Sequence, residues 1–263
     1  MIRFGKKEKA KKKVRIAFFD FADCEGCQLQ LTYLNEALLG VLEHCEIVNF
    51  REAMSEKSDD YDIAFVEGSI TRKHDEERVK KIRANAKILI AYGACATIGG
   101  VNGLRRRYTE QEARDIVYPG REFPLEAGHP RPVHEVVKVD HYIHGCPTNN
   151  DETVRAIKSI LLGKGYTPPT YPVCVECKLK ENVCLFEKGQ VCMGPVTRGG
   201  CDAWCPSWGN TCYGCRGLLD DPAEQGQTDL LEKYGYTIDD IKEKFDLYNR
   251  CRLEAEKDER KDK

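Results

Sequence analysis

VRIAFFDFADCEGCQLQL, residues 14–31, holds a strand, a turn and the opening of a helix in one short stretch. VRIAFF (14–19) is an apolar run rich in β-formers, while Leu29, Leu31, Leu34, Leu38 and Leu42 recur at helical spacing from Gly26 onward. Between the two lie Cys24 and Cys27, just past the carboxyl end of the expected strand. The same order returns downstream. KILIAYG (87–93) reads as a buried strand followed by Cys95, and KVDHYIHG (138–145) as another followed by Cys146. EIVNF (46–50) and DIAFVEG (62–68) read as further strands, HDEERVKKIRANA (74–86) as an amphipathic helix, and Asn149 to Asp151 as the cap of a helix reaching about Leu162. Strands and helices alternating at these lengths predict an α/β fold with a parallel sheet covered on both faces.

That topology gives Cys24, Cys27, Cys95 and Cys146 a physical meaning. Open α/β sheets bind ligands at the carboxyl ends of their strands, where loops converge on a crevice. Three separate loops therefore meet there, and the glycines beside the cysteines (Gly26, Gly93, Gly99, Gly100 and Gly145) admit close backbone approach to an inorganic cluster. The C-x-x-C taken alone suits a redox dithiol or half a zinc site equally; four thiols on neighbouring strand ends favour a four-thiolate cluster.

Eight more cysteines crowd into the stretch after Pro172: Cys174, Cys177, Cys184, Cys192, Cys201, Cys205, Cys212 and Cys215. The run opens and closes on C-x-x-C and makes two four-thiolate sites. Zinc is the serious rival here, but the irregular spacing and unpaired interior cysteines fit cubane iron–sulfur clusters better. Residues 171–217 have few apolar side chains and much Gly and Pro, so metal binding is expected to supply their folding energy. Residues 1–13 read as a disordered basic start, 14–165 as the sheet domain and 166–217 as a small irregular two-cluster domain entered through KGYTPPTYP. Residues 218–263 read as a charged helical tail, with Thr237 and Asp240 in a capping arrangement.

Of fourteen cysteines, Cys45 and Cys251 remain, read as core and incidental respectively. His144 reads as a packed side chain, with a hydrogen bond to cluster sulfur as the sharper alternative. Glu25 and Glu67 are candidates for moving protons or orienting neighbours, and Arg105, Arg106 and Arg107 for a solvated loop or a docking spot. The net charge of -2 favours neither nucleic acid nor an anionic membrane. No apolar leader, twin-arginine pair or membrane-length run is seen, which predicts a cytoplasmic protein, where patterned thiols are ligands rather than disulfides. No G-x-S-x-G, P-loop or dinucleotide fingerprint occurs, so catalysis is expected on a partner.

DCEGCQLQL, VEGSI, GACATIGG, HGCP and the run from PVCVEC through CMGPVTRGGC to CYGCRG resemble the small, electron-transfer subunit of nickel–iron hydrogenases, from about Val14 to Gly217. The resemblance implies a flavodoxin-like domain with a proximal cluster on Cys24, Cys27, Cys95 and Cys146. It also implies a distal cluster on Cys174, Cys177, Cys184 and Cys192, and a medial one on Cys201, Cys205, Cys212 and Cys215. Cys174 stands where the exported branch has histidine, and Cys205 where that branch often has proline. Three all-cysteine 4Fe–4S clusters are thus implied, as in cytoplasmic multi-subunit hydrogenases, with low potentials. The implied partners are a nickel–iron large subunit and an iron–sulfur or flavin-bearing, nicotinamide-reducing module, as with sulfhydrogenase delta subunits. The methyl-viologen type that feeds heterodisulfide reductase is the near rival. A zinc-stabilised, non-redox scaffold is an alternative of another class. A quinone-linked or carbon-dioxide-reducing complex is disfavoured because its pattern has adjacent cysteines where this chain has C-E-G-C.

Overall fold

In the computed structural model, residues 13–121, 126, 128–222 and 224–261 are described. β1 (Val14–Phe19) leads into α1 (Gly26–Thr32) and α2 (Glu36–Leu42), then β2 (Cys45–Asn49) and β3 (Ile63–Glu67). α3 (Lys73–Asn85), β4 (Ile88–Tyr92), α4 (Ala94–Ile98), a 3-10 turn at Val101–Arg107, α5 (Glu110–Val117), β5 (His141–Ile143) and α6 (Asn150–Leu161) complete the sheet domain. The five strands are all parallel in the order β2-β1-β3-β4-β5, the flavodoxin-like winding.

Alternate side chains of each strand point to opposite faces, which explains the near-continuous apolar runs. Ile16, Phe18, Ile63, Phe65, Ile90 and Tyr92 pack on one face under α1, α2 and α6 through Leu31, Val41 and Ile157. Ala17, Phe19, Ala64, Val66, Leu89 and Ala91 pack on the other, under Val79 and Ile82 of α3 and Val133. Each such aliphatic side chain, when fully buried, contributes about 1.5–3 kcal/mol. Of the four strand-end cysteines, Cys27 alone joins this core.

The leucine run that predicts one helix over 26–42 forms two. Asn35 takes a φ of 49°, and the chain turns there between α1 and α2. Asparagine tolerates positive φ better than most residues, so the run keeps its buried face through Leu31 and Leu34 while its axis breaks. Asn149 caps α6 as expected, its side chain accepting from the Glu152 N–H at 3.0 Å.

α7 (Val173–Leu179), α8 (Trp204–Ser207), α9 (Glu224–Lys233) and α10 (Ile238–Lys261) follow. The cysteine-rich stretch has an apolar core of its own. Val173, Leu185, Phe186, Val191, Met193, Val196 and Leu218 gather there, but Leu231 of α9 and Ile241 of α10 complete it. The Thr237–Asp240 cap forms in both directions. Beyond it α10 packs onto the 3-10 turn and α4. Arg107 pairs with Asp246 at 2.8 Å, and Arg106 reaches Glu254 and Glu135, each at 3.5 Å. The arginine cluster is a clasp for this helix rather than a solvated loop. Cys251, expected to be incidental, is 2% exposed beneath it. No helix among the described residues is long and apolar enough to cross a membrane.

Candidate metal centres

The first four thiols collect where the strand order reverses. β3 ends in Glu67, which is 3% exposed. Its two carboxylate oxygens accept the Cys27 and Gln28 N–H groups, each at 3.0 Å, and so fix the first turn of α1. Burial, with the charge of Asp23, pushes this carboxyl up to about 7. The buried Tyr92 hydroxyl donates to the Cys27 carbonyl at 3.0 Å and accepts from Thr148 at 2.8 Å. Gly93 has a φ of +86°, and a Cβ there would stand 2.4 Å from Cys27 Sγ, so only glycine fits. The next N–H, from Ala94, donates to Gly145 O at 2.7 Å, which ties the Cys95 loop to the Cys146 loop.

All four thiols share one electrostatic neighbourhood. Burial pushes Cys95 up to about 12, reinforced by Cys146, Asp23, Cys24 and Glu67. Burial also raises Cys27 well above its usual value, with Glu67 and Cys95 among the groups that add to it. Glu25, between the two cysteines of the C-x-x-C, is pushed up to about 7 by its hydrogen bond with Glu52, against the pull of Arg51. His144 is 8% exposed and stacked on Tyr142 at 6.1 Å; its Nδ1 has no partner, and burial with Arg216 and Arg198 holds its pKa well below the usual value. It packs as a neutral ring.

Cys174 lies among Cys192, Cys177 and Cys184, which together with burial push it up to about 12. The sulfurs of Cys174 and Cys192 both reach the open face of Gly194, within 3.2 and 3.5 Å of where a Cβ would stand. Cys201, Cys205, Cys212 and Cys215 line one cavity of about 70 Å³. Cys146 of the first set and Tyr248 of α10 line it too. From this lining the Cys212 N–H donates to Cys192 Sγ at 3.3 Å. A second Glu fixes this region: the carboxylate of Glu176, between Cys174 and Cys177, accepts the Gly200 and Ala203 N–H groups at 2.5 and 3.0 Å.

All twelve cysteines are free thiols. Burial and mutual repulsion raise the pKa of many of them, so their thiolate forms are disfavoured without a cation, and a cationic iron–sulfur core would draw off their protons and balance the charge. The donor set fits such a core. A tetrahedral zinc site draws four sulfurs to about 2.3 Å from one point. Among the described residues no three His, Cys, Asp or Glu side chains are grouped closely enough to hold a single metal ion, zinc or iron alike. A cavity of about 830 Å³ lies elsewhere, against β2 and α2 beside Cys45, Leu38 and Phe50, and none of the twelve thiols lines it.

Reading the sequence missed Arg216. It is 1% exposed, forms a two-pronged ion pair with the equally buried Glu152 at 2.5 and 2.6 Å, and donates to His144 O at 2.7 Å and Gly199 O at 2.7 Å. It bolts the cysteine-rich segment to α6 and to the Cys146 loop. Tyr166 adds its hydroxyl to Glu152. No local signal marks a single arginine after C-Y-G-C for this role.

A family model described as NADH ubiquinone oxidoreductase, 20 Kd subunit, matches residues 24–160, which takes in the first thiol set and none of the later eight. The sulfhydrogenase 2 subunit delta of Pyrococcus furiosus is 39% identical over 84% of this chain and 93% of its own length. A subunit of the vhu F420-non-reducing hydrogenase of Methanocaldococcus jannaschii is 34% identical over 91% of this chain and 95% of its own. Among solved structures, a chain of an NAD+-reducing NiFe hydrogenase in the H2-reduced state is similar with a TM-score of 0.54 and 28% identity, covering 60% of this chain and 96% of that one. By name and title, these relatives are parts of hydrogenases. The chain belongs to the family of nickel–iron hydrogenase small subunits, iron–sulfur proteins whose catalytic centre lies on another subunit, and resembles the sulfhydrogenase delta type.

Proposed function

We propose that the chain relays electrons through three 4Fe–4S clusters between the nickel–iron site of a large subunit and a flavin-bearing, NAD(P)-reducing module. Cys24, Cys27, Cys95 and Cys146 hold the proximal cluster, Cys201, Cys205, Cys212 and Cys215 the medial one, and Cys174, Cys177, Cys184 and Cys192 the distal one. The observation that carries this reading is that the three sets adjoin in that order. Cys146 lines the cavity of the Cys201–Cys215 set, and the Cys212 N–H donates to Cys192 Sγ. Electron tunnelling weakens steeply with distance, so sets that meet edge to edge suit stepwise transfer.

When bound, the clusters supply one-electron redox chemistry. The chain's own residues provide the holding and shielding. Glu67 and Glu176 pin the thiol-bearing turns by their backbone N–H groups, and Gly93 leaves room at Cys27. Arg216 holds the two thiol-bearing regions together, and the buried Tyr92 and Thr148 keep water from behind Cys27. The proposal includes a cytoplasmic location, where a reducing medium keeps thiols available as ligands while clusters are built.

A second reading, favoured by the likeness to the F420-non-reducing hydrogenase subunits, sends the electrons to a heterodisulfide reductase instead. The test is anaerobic purification with whatever co-purifies, metal analysis, and assay of dihydrogen-dependent dye, NAD and NADP reduction. About twelve irons per chain, nickel on a larger companion and nicotinamide reduction support the first reading; dye reduction without nicotinamide reduction supports the second. Zinc in place of iron returns the chain to the scaffold class.

A further inference from the structure

α7 and α8 carry thiols of two different sets and are tied to each other by a ring of hydrogen bonds. The Glu176 carboxylate of α7 accepts the Ala203 N–H at 3.0 Å, and the Ala203 carbonyl accepts the Ser207 hydroxyl at 2.9 Å. Ser207 Oγ in turn accepts Nδ2 of Asn182 at 3.0 Å. The chain reverses after α7 at Glu181, whose φ is 56°, and the Asn182 N–H donates back to the Cys177 carbonyl at 3.2 Å. An ion pair of Lys180 with Asp202 at 2.5 Å joins the same two segments.

The ring settles which way the Asn182 amide points. Ser207 has one hydroxyl hydrogen and Ala203 takes it, so toward Asn182 the serine oxygen can only accept. The amide atom facing Ser207 is therefore the nitrogen. The same Nδ2 stands 3.7 Å from Cys177 Sγ, which leaves its second hydrogen for the sulfur. A neutral thiol accepts such a bond weakly, whereas a thiolate accepts it as a charge-assisted one.

We infer that Asn182 is a positioning residue of the electron path, whose amide donates to Cys177 Sγ and raises the reduction potential of the cluster on Cys174, Cys177, Cys184 and Cys192. A donor aimed at a ligand sulfur offsets the charge of the added electron and so favours the reduced state. One electron enters, the proton stays on Nδ2, and no bond to Asn182 is made or broken. Because Ser207 follows Cys205 by two residues, the donor that serves one thiol set is oriented by the loop of another. The inference rests on the proposed cluster at Cys174, Cys177, Cys184 and Cys192.

The experiment is an EPR-monitored redox titration of the purified complex, with iron counted per chain. The signal of this set is identified by its loss on Cys184→Ala. Asn182→Leu, similar in volume and without a donor, is expected to leave the iron count unchanged. It should lower that midpoint potential by the equivalent of a threefold change in the reduced-to-oxidised ratio, about 28 mV for one electron. Asn182→Asp keeps the shape but turns an oxygen toward the sulfur and is expected to lower the potential further, an order that a packing role alone does not predict. Asparagine labelled with 15N in its side chain gives a direct reading in the unsubstituted complex: a 15N hyperfine coupling on the same signal, absent in Asn182→Leu. If neither variant assembles, that coupling alone decides. A missing coupling, or potentials that stay put or rise in the assembled variants, overturns the inference. If no signal of the unsubstituted complex is lost on Cys184→Ala, the cluster assignment fails instead, so the two failures are told apart.

Discussion

The sheet domain and the cysteine-rich segment both present thiols from loops, but they hold those loops by different means. Around the first set the scaffold is complete in itself: five parallel strands with an apolar layer on each face, and Glu67 and Tyr92 rising from strand ends to fix Cys27. Around the later eight, the segment's own apolar side chains fall short, and Leu231 and Ile241 are brought in from α9 and α10. What remains between the thiols is cavity. The first scaffold is expected to fold without its metal, the second to need both the metal and a distant helix.

Stripping iron under anaerobic conditions is the strongest way to break that contrast. Metal ligation in small sites of this kind contributes on the order of 10 kcal/mol to folding. Hydrogen exchange after chelation is therefore expected to show residues 171–217 losing nearly all amide protection while β1, β3 and β4 keep theirs. Equal loss in both regions would mean that the sheet domain also depends on its cluster. Next in size is Arg216→Met. It leaves the Glu152 carboxylate buried without its partner, at a cost of about 3–5 kcal/mol, seen as a lower thermal midpoint and increased proteolysis after Gly165. Adding Glu152→Leu is expected to recover much of the loss, because the orphaned charge is then gone.

The same contrast decides what could be read from the sequence. The strands were legible because burial on both faces leaves long apolar runs, and the four strand-end cysteines were legible because the sheet's edge is a fixed place. The break at Asn35 was not, since the leucine periodicity passes through it unchanged. Arg216 and Glu152 lie 64 residues apart, and each alone looks like a solvent-facing charge. Only their joint burial gives them a role. In α10 the residues that turn inward, Ile241, Phe245, Tyr248 and Cys251, are diluted among charges, so a packed helix read as a solvated one. Its partners, Arg106 and Arg107, come from a stretch whose composition suggested solvent.

A third change probes the sheet side of the comparison at its most crowded point. Gly93→Ala forces a side chain into a backbone with φ +86° and sets its Cβ 2.4 Å from Cys27 Sγ. The strain is about 1–3 kcal/mol, small against a complete core. The expected result is a folded protein with about four fewer irons per chain and the later eight thiols still loaded. Loss of all the iron would show that the later sets depend on the first.

The smallest effect tests whether the sheet domain answers to ordinary side-chain electrostatics, away from any thiol. Asp75 is 2% exposed and accepts the Arg72 N–H at 3.1 Å and its guanidinium at 3.0 Å at the start of α3. Burial by itself would push this carboxyl up, but the hydrogen bonds and charge of Arg72 outweigh it and hold the pKa below the usual value of 3.8. With the folded pKa below the unfolded one, the unfolded chain binds the extra proton as the solution is acidified. The stability this cap contributes is thus present at neutral pH and is lost as pH falls below about 4. Asp75→Asn should lower stability by about 1 kcal/mol at pH 7 and by less than that near pH 3. Denaturant unfolding of the sheet domain at the two pH values checks it, and equal losses at both would mean that the carboxylate's charge is not what holds the start of α3.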